Sequence, residues 1–412
     1  MKSDIDRLMQ ESDLDAIFVV GAAAHNPSMA YFTGRAHLTE AYLIKKRGEE
    51  PVLFCATMER EEGARTGLQT KDLIDYDMIK LLEKAGGDRT RAGAELFRLM
   101  FEDFGVTGKV ALYGKVAVGP YFAVLRQLEQ NVPGLELIGE SPNTSILTRA
   151  RATKSPEEAE RIRRMGQITT SVFGEVAVFL SSHTAKDGVL VTRQGKTLTI
   201  GEVKRRINLW LAIRGAENPE GTIFAAGRDA GIPHSSGTDD DPVPVGKTIV
   251  FDLFPCEEGG GYYYDFTRTW CLGFASDDAL QLHQEVLEVH DRLLEAIKPD
   301  TPCRDYQILT CQLFQEKGHP TILEDTKIQQ GYIHSLGHGV GLAVHEGPAF
   351  SQLESNRDMV RVGSVFTVEP GLYYPERDMG VRIENTVWVN PEGKVEVLAE
   401  YPTDLVLKVP GV

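Results

Sequence analysis

Two β-rich segments of this sequence each carry a pair of carboxylates among apolar residues. Residues 249–270 read IVFDLFPCEEGGGYYYDFTRTW, and residues 366–389 read FTVEPGLYYPERDMGVRIENTVWV. In each segment two strand-like runs flank a turn, a pattern that predicts a β-hairpin. Four clustered carboxylates raise one another's pKa values unless a cation compensates their charge. A fold that gathers these hairpins in its interior therefore has to supply that cation.

The first hairpin is expected to place two aspartates face to face. A turn centred between Glu258 and Gly259 puts Asp252 directly opposite Asp265, with each residue inside its strand. Cross-strand partners lie about 5 Å apart, where like charges repel.

The second hairpin repeats this arrangement with glutamates. Glu369 and Glu384 are equidistant from a turn centred between Glu376 and Arg377, and Arg382 lies on the same strand face as Glu384 because strands alternate with period two. The alternative interpretation is that all four carboxylates point to water on an exposed sheet face.

A histidine-rich stretch, IHSLGHGVGLAVHEGP at residues 333–348, offers a nitrogen ligand. His334 and His338 have the i, i+4 spacing of a zinc-binding helix. However, Gly337, Gly339 and Gly341 would each cost about 1 kcal/mol in a helix interior. We therefore predict an extended or looped segment.

His338 completes a candidate ligand set with the four carboxylates. One imidazole and four carboxylates suit manganese, iron, cobalt or zinc, and are too rich in oxygen for a structural zinc site. Five ligands suffice for two metal ions about 3.5–4 Å apart, as in two-metal hydrolases.

The order Asp…Asp…GHGVG…VHE…EPG…RIE resembles the pita-bread metallopeptidases (family M24), in particular their proline-specific branch of Xaa-Pro aminopeptidases (aminopeptidase P) and Xaa-Pro dipeptidases (prolidases). The resemblance covers about residues 155–412. It implies two divalent metal ions, manganese first, with cobalt, zinc or iron as alternatives. The metal-ligand positions it implies are Asp252, Asp265, His338, Glu369 and Glu384.

The same resemblance implies further catalytic residues. His234 and His345 match substrate-side histidines that donate to the carbonyl oxygen, and His334 matches a further histidine that contacts the proline end of the substrate. Arg382 is expected to hold Glu384, and Glu369 is expected to move a proton from the nucleophile to the leaving nitrogen. The sequence departs from the family pattern in the expanded turn CEEGGG between the two aspartates and in Ser335, where a glycine is usual.

Strands alternating with helices predict an α/β domain over residues 1–150, which the resemblance interprets as a creatinase/prolidase-like N-terminal domain. Residues 155–412 are then the catalytic domain, an α/β (α+β) pita-bread fold with an internal pseudo-two-fold. Ser155, Pro156 and Glu158 form a capping box that predicts a helix to about residue 180, and a second box at Thr199 predicts another to about residue 214.

A third helix is predicted over about residues 278–298, with an apolar stripe that ends before Pro299. His283 and His290 are seven residues apart on this helix and so share a face. We interpret them as part of a solvated flank.

Composition excludes several classes of protein. The net charge of −16 argues against sequence-independent nucleic-acid binding. The longest apolar run, residues 16–24, is about half of the ~20 residues that cross a bilayer, and the N-terminus lacks the order of a signal peptide. Five cysteines without a CxxC pair are expected to be buried thiols in a reducing compartment, which favours a cytoplasmic protein.

These observations lead to one hypothesis of function and two alternatives. The hypothesis is a dinuclear metal-dependent exopeptidase that removes the N-terminal residue of short peptides with proline second, as an aminopeptidase or a dipeptidase. By analogy it is a homodimer. The alternatives are a metal-independent, creatinase-like amidinohydrolase and a catalytically silent peptide- or protein-binding module on the same fold. Both types of relative have lost metal ligands, whereas this sequence has all five.

Overall fold

The structure, a computed structural model, describes residues 4–141 and 145–412. The chain divides into two compact units, Met1–Arg151 with Gly259–Gly261 and Ala152–Glu258 with Tyr262–Val412. Residues 1–3 and 142–144, which belong to the predicted N-terminal domain, lie outside the described residues. The predicted limits 1–150 and 155–412 remain predictions.

The first unit is built on one six-stranded sheet. Its strands run in the order β4-β3-β2-β1-β5-β6, with β2 antiparallel to its neighbours β1 and β3, and the other neighbouring strands parallel. The elements are α1 Ile5–Glu11, β1 Ala16–Val20, α2 Pro27–Thr33, β2 Ala41–Lys46, β3 Val52–Cys55, α3 Arg60–Arg65, β4 Gln69–Asp72, α4 Met78–Lys84, α5 Arg89–Asp103, β5 Gly108–Gly114, α6 Val118–Asn131, β6 Leu135–Ile138 and α7 Ile146–Arg151.

Strand β1 shows why this sheet forms. All five of its residues, AIFVV, are buried, since alternate side chains enter two different apolar clusters. Phe18 packs against Phe97 and Phe101 of α5, whereas Ile17 and Val19 belong to the opposite cluster. A strand covered on both faces needs a continuous apolar run rather than an alternating one. The predicted hairpin of β2 and β3 is confirmed.

The second unit contains four helices, which are α8 Pro156–Ser181, α9 Ile200–Ile213, α10 Asp277–Ala296 and α11 Cys303–Glu316. Helix α8 begins with the predicted capping box, in which Ser155 and Glu158 satisfy each other's backbone N–H groups. At α9, Thr199 accepts from the backbone N–H of Glu202 as predicted. Within the described part of the chain, no helix is both long and apolar enough to cross a bilayer.

Two sheets dominate this unit, with strand orders β10-β11-β13-β23 and β16-β15-β18-β21-β22. Each sheet includes strands from one carboxylate hairpin, as a pseudo-two-fold domain requires. The strands are β7 Thr184–Lys186, β8 Val189–Val191, β9 Ala216–Glu217, β10 Thr222–Ala226, β11 Thr248–Leu253, β12 Cys256–Glu257, β13 Phe266–Leu272, β14 Thr301–Pro302, β15 His338–Gly339, β16 Glu346–Ala349, β17 Met359–Val360, β18 Val365–Val368, β19 Gly371–Tyr374, β20 Met379–Arg382, β21 Asn385–Val389, β22 Val395–Val397 and β23 Val406–Leu407.

Helix α10 is buried more widely than its apolar stripe predicts. Its stripe of Leu282, Val286, Val289 and Leu293 joins the core of the unit, but His283 and His290 are buried as well, so the solvated-flank interpretation is wrong. Burial lowers the pKa of both imidazoles, and the nearby charge of Arg268 acts in the same direction. The sequence could not reveal this second covered side, because the residues that cover it come from other parts of the chain.

Candidate metal centre

The first carboxylate hairpin has a different register from the one expected. Strand β11 pairs Asp252 with Thr267 and Leu253 with Phe266, so Asp265 lies one residue before β13 and is not opposite Asp252. The expected pairing is wrong by two residues because the turn is centred between Gly259 and Gly260, one residue later than expected, and both glycines have positive φ. The same alignment continues past β11, since Cys256 bridges to Tyr263 and the Glu257 N–H donates to Tyr262 O, while β12 also pairs with β9. Asp265 and Thr267 are two residues apart, which directs both toward the same face.

The second hairpin has the expected register. Strands β19 and β20 pair Gly371 with Arg382, and β18 and β21 pair Val368 with Asn385 in the same alignment. Glu369 and Glu384 lie in the interruption between these two ladders. Their backbone N–H groups donate to other segments, that of Glu369 to Leu336 O and that of Glu384 to Thr267 O. The second of these bonds joins the two carboxylate hairpins.

All four carboxylates are withdrawn from solvent. Asp265 and Glu384 are 4% and 1% exposed, Asp252 is buried, and Glu369 is largely covered. The alternative in which they point to water on an exposed sheet face is therefore wrong. Ionised carboxylates in such a position need a compensating charge.

His338 lies among these carboxylates, on the short strand β15. Its Nε2 is 3.5 Å from Asp265 Oδ2 and 3.4 Å from Glu369 Oε1. Potential ligand atoms of Asp265, His338 and Glu384 all lie within 4.8 Å of one another. The segment is extended and looped rather than helical, as predicted. Burial and the adjacent His345 lower the pKa of His338 to about 3, which keeps the imidazole neutral and able to act as a ligand.

The glycines around His338 permit close packing. A Cβ on Gly337 would lie 2.0 Å from the Thr367 carbonyl oxygen, and a Cβ on Gly339 would lie 2.0 Å from the Gly347 carbonyl oxygen. No side chain fits at either position. The segment that carries His338 is thereby held against β18 on one side and β16 on the other.

The carboxylates have raised proton affinities. Burial, and then the charges of Glu384 and Asp252, raise the pKa of Asp265 well above its ordinary range. Burial and the charges of Glu369 and Asp252 do the same for the pKa of Glu384. Burial is also the main reason why the pKa of Glu369 is raised to about 8. The cluster is therefore built to hold protons or a cation.

Arg382 contacts Asp252 directly and is linked to Glu384 through a threonine. Its Nη2 donates to Asp252 Oδ2 over 2.6 Å, and its Nε donates to Thr267 Oγ1 over 3.2 Å. Thr267 Oγ1 in turn donates to Glu384 Oε2 over 2.6 Å. Arg382 is thus linked to Glu384 through the threonine hydroxyl, and its expected role in holding Glu384 stays a prediction.

Two buried carboxylate oxygens indicate whether these residues could bind a metal ion. Asp252 Oδ1 and Asp265 Oδ1 have no hydrogen-bond partner among the described residues. A buried acceptor without a donor costs about 1–3 kcal/mol, more when it is charged. Four carboxylates and one neutral imidazole are ligands that manganese, iron, cobalt and zinc accept. The residues present therefore fit divalent metal ions.

The predicted substrate-side histidines differ in their surroundings. His345 is exposed, and its ring centroid lies 4.2 Å from that of His338. His234 is exposed too and directly follows Pro233, whose carbonyl accepts from Arg382 Nη1. These two histidines border the carboxylate cluster.

His334, by contrast, has both ring nitrogens engaged within the protein. Nδ1 donates to Ser335 O over 2.7 Å, and Nε2 lies 2.9 Å from the Tyr373 hydroxyl. Burial lowers its pKa to about 3, so the ring is neutral and Nε2 accepts from that hydroxyl. The hydroxyl itself accepts from Arg382 Nη1 over 2.8 Å.

Three polar residues of the site were missed in the sequence. Thr267 donates to Glu384, Thr367 donates to Glu369 and accepts from His338 N, and Tyr373 joins His334 to Arg382. Each threonine is two residues from a carboxylate, in Asp-x-Thr and Thr-x-Glu, and this period-two spacing was the available signal. Tyr373 had no such signal.

Comparison with models of known protein families shows which family this chain belongs to. The model of metallopeptidase family M24 matches residues 160–391, which include all the carboxylates and His338. The chain belongs to metallopeptidase family M24. The model of the creatinase/prolidase N-terminal domain matches residues 3–105. This M24 enzyme is thus a metallopeptidase, and the family implies divalent metal ions.

Individual relatives of this M24 enzyme span nearly its whole length. It is 27% identical over 402 residues to an Xaa-Pro dipeptidase of Pyrococcus furiosus, covering 95% of this chain and 97% of the relative. The solved structure of a prolidase from Pyrococcus furiosus superposes with a TM-score of 0.72 at 25% identity, covering 96% of this chain and 99% of that one.

An X-Pro aminopeptidase from Thermotoga maritima has the same fold, with a TM-score of 0.72 at 23% identity, covering 98% of this chain and the whole of that one. These likenesses confirm the predicted α/β class, in which a creatinase/prolidase-like N-terminal domain precedes a pita-bread catalytic domain.

Proposed function

We propose that this protein is a two-metal exopeptidase that hydrolyses the bond between an N-terminal residue and a following proline. The observation that carries the proposal is the buried cluster of carboxylates around the neutral imidazole of His338, in which two carboxylate oxygens accept from no donor of the described residues. The relatives described as Xaa-Pro dipeptidase and prolidase supply the substrate class.

Five residues hold the metal ions in this proposal. They would be Asp252, Asp265, His338, Glu369 and Glu384. Bound divalent ions acidify a water molecule and so supply the nucleophile near neutral pH. Within residues 4–141 and 145–412 no donor reaches Oδ1 of Asp252 or of Asp265, which supports this assignment.

Other side chains handle the substrate and the proton. Glu369 takes the proton of the nucleophile and passes it to the leaving nitrogen, as a general acid–base group does. His345 and His234 donate to the substrate carbonyl oxygen as negative charge develops on it. Their exposed positions beside the cluster support this role.

Arg382 and His334 orient these groups. Arg382 fixes one oxygen of Asp252 and, through Thr267, the carboxylate of Glu384. His334 holds the Tyr373 hydroxyl that accepts from Arg382, so we assign it to positioning rather than to direct contact with the proline. Groups that orient metal ligands typically contribute 10–100-fold in affinity or activity.

We further propose manganese as the native metal, a homodimer, a cytoplasmic location, and domain limits of 1–150 and 155–412. Five free, buried thiols support a reducing compartment. Light scattering of the purified protein measures the oligomeric state, and metal analysis after mild purification identifies the ion.

A substrate series tests the function. The purified protein, supplied with manganese or cobalt, is offered Ala-Pro, Ala-Pro-Gly and Ala-Pro-Gly-Gly, with Ala-Gly as the control. We expect release of alanine from at least one proline peptide, none from Ala-Gly, and loss of activity with a chelator. Cleavage of Ala-Pro alone identifies a dipeptidase, whereas cleavage of the longer peptides identifies an aminopeptidase. Absence of hydrolysis in a metal-loaded protein contradicts the proposal.

Site variants test the ligand assignment separately. Asp265→Asn and His338→Ala are expected to lower bound metal and to abolish turnover. If both variants keep their metal content and their activity, the assigned residues are not the ligands.

A further inference from the structure

Lys154 and Glu346 form a buried ion pair, and Glu346 directly follows the candidate substrate-side residue His345. Lys154 Nζ is 2.6 Å from Glu346 Oε1, and the two side chains are only 2% and 1% exposed. Replacing such a pair with apolar groups of similar size is often neutral or stabilising, so a buried pair is weak evidence of stabilisation. One well-attested use of buried charges is to specify a single geometry.

Lys154 is anchored through its backbone. Its N–H donates to Gly363 O over 2.7 Å, and the preceding residue, Thr153, forms a bridge with Ser364 just before β18. Ser155 then caps helix α8. The lysine backbone is therefore fixed on both sides, and its side chain provides a directed link to Glu346.

Glu346 connects the ion pair to the segment that carries His345. It is the first residue of β16, pairs with Gly339, and directly follows His345. The ring of His345 packs on that of His338, while the next side chain enters the buried pair with Lys154. Holding the Glu346 carboxylate therefore restricts the peptide that carries His345.

The loop between these histidines also packs on the pair. A Cβ on Gly341 would lie 2.0 Å from Glu346 Oε1 and 2.9 Å from Lys154 Cε. The carbonyl oxygen of Gly341 accepts from the Tyr263 N–H over 2.8 Å. Residues 341–346 are thus fixed from two directions.

We infer that Lys154 and Glu346 are positioning residues that hold His345 beside His338. The inference rests on the proposed function, in which His345 donates to the substrate carbonyl oxygen. A hydrogen bond that strengthens as charge develops on that oxygen acts mainly in the transition state. Release of His345 therefore lowers kcat more than it changes KM.

The test replaces both members of the pair together, because removing one leaves a buried charge. In full-length Lys154→Met/Glu346→Leu we expect kcat on a cleaved Xaa-Pro peptide to fall at least tenfold, with KM within about twofold and metal content unchanged. The matched control is Lys317→Met/Glu288→Leu, which removes a partly exposed pair in the same unit and should keep kcat. If the first variant does not fold, Lys154→Met/Glu346→Gln gives the same test.

Hydrogen exchange provides a readout that needs no activity. Amides of residues 341–347 should exchange at least tenfold faster in the metal-free variant than in the metal-free wild type, and at the wild-type rate in the control. If the wild type cleaves no Xaa-Pro peptide, the proposed function fails and exchange alone decides the inference. The inference is overturned if the folded Lys154/Glu346 double variant has the kcat of the wild type. If the wild type has no peptidase activity, it is overturned when residues 341–347 of the variant exchange at the wild-type rate.

Discussion

Arg382 Nη2 donates to Asp252 Oδ2 over 2.6 Å and so joins the two carboxylate hairpins inside the protein. Both side chains are buried, and the guanidinium is the positive charge in contact with Asp252. The contact satisfies one oxygen of the carboxylate, whereas Oδ1 has no donor in the part of the chain that the structure describes. The arginine thus orients this carboxylate while leaving an oxygen for a metal.

Loss of this contact should weaken metal binding. We expect Arg382→Met to bind manganese or cobalt about 10–100-fold more weakly than the wild type, because Asp252 and Thr267 lose the donor that orients them. Titration calorimetry measures the affinity. Arg377→Met removes an exposed pair with Asp278 and should leave the affinity unchanged. Equal affinities for the wild type and Arg382→Met contradict the positioning role.

The metal-free protein should lose stability as pH rises from about 6.5 to 8. In the folded state the pKa of Glu369 is raised to about 8, from an ordinary value of 4.5. The folded state therefore holds a proton that the unfolded state has released, and raising the pH removes this advantage. The neutral histidines His334 and His338 act in the opposite direction only below their ordinary pKa of 6.5.

Thermal unfolding of chelator-treated protein measures whether stability falls as the pH rises. Each tenfold difference in proton affinity between the folded and unfolded states corresponds to about 1.4 kcal/mol. Added metal should stabilise the protein more at pH 8 than at pH 6.5, because it then replaces the lost protons. Glu369→Gln should flatten the pH dependence. A melting temperature of the metal-free wild type that rises over this interval would show that the assigned direction is wrong.

Two glycine substitutions should have opposite effects. Gly337→Ala places a methyl group 2.0 Å from the Thr367 carbonyl oxygen, and relief of that overlap should cost roughly 1–3 kcal/mol and displace His338. Gly174→Ala, within α8, places its methyl group more than 4 Å from any described atom beyond the adjacent residues and the helix backbone, and it should stabilise the helix by up to about 1 kcal/mol. Denaturant unfolding measures both values. Equal stability of the two variants would argue against close packing at Gly337.

The hydroxyl of Thr267 should matter more than its methyl group. Thr267→Val leaves Glu384 Oε2 and Arg382 Nε without this partner, at a cost of about 1–3 kcal/mol, and should lower kcat/KM by roughly 10–100-fold. Thr267→Ser keeps the hydroxyl and should retain most of the activity. Peptide hydrolysis and thermal unfolding compare the pair of variants. The role of the hydroxyl is refuted by a fully active valine variant.

The two hairpins show how far strand register can be predicted. In the second hairpin the turn is short, and the alignment centred between Glu376 and Arg377 holds through both ladders. In the first, the turn is centred between Gly259 and Gly260, one residue later than expected, so counting from the expected centre gives a register that is wrong by two. Register follows from the position of the turn, and a run of three glycines allows the turn to be centred at more than one place.

The sequence alone determined the kinds of ligand and the elements that carry them. Capping residues set the starts of α8 and α9, apolar runs set the strands, and glycines excluded a helix around His338, because each of these effects acts within a few residues. The tertiary structure decided which distant groups meet. The contact of Arg382 with Asp252, the burial of His290 and the pairing of Lys154 with Glu346 all depend on packing between segments far apart in the chain. No local pattern encodes such contacts, since burial and charge compensation are properties of the assembled interior.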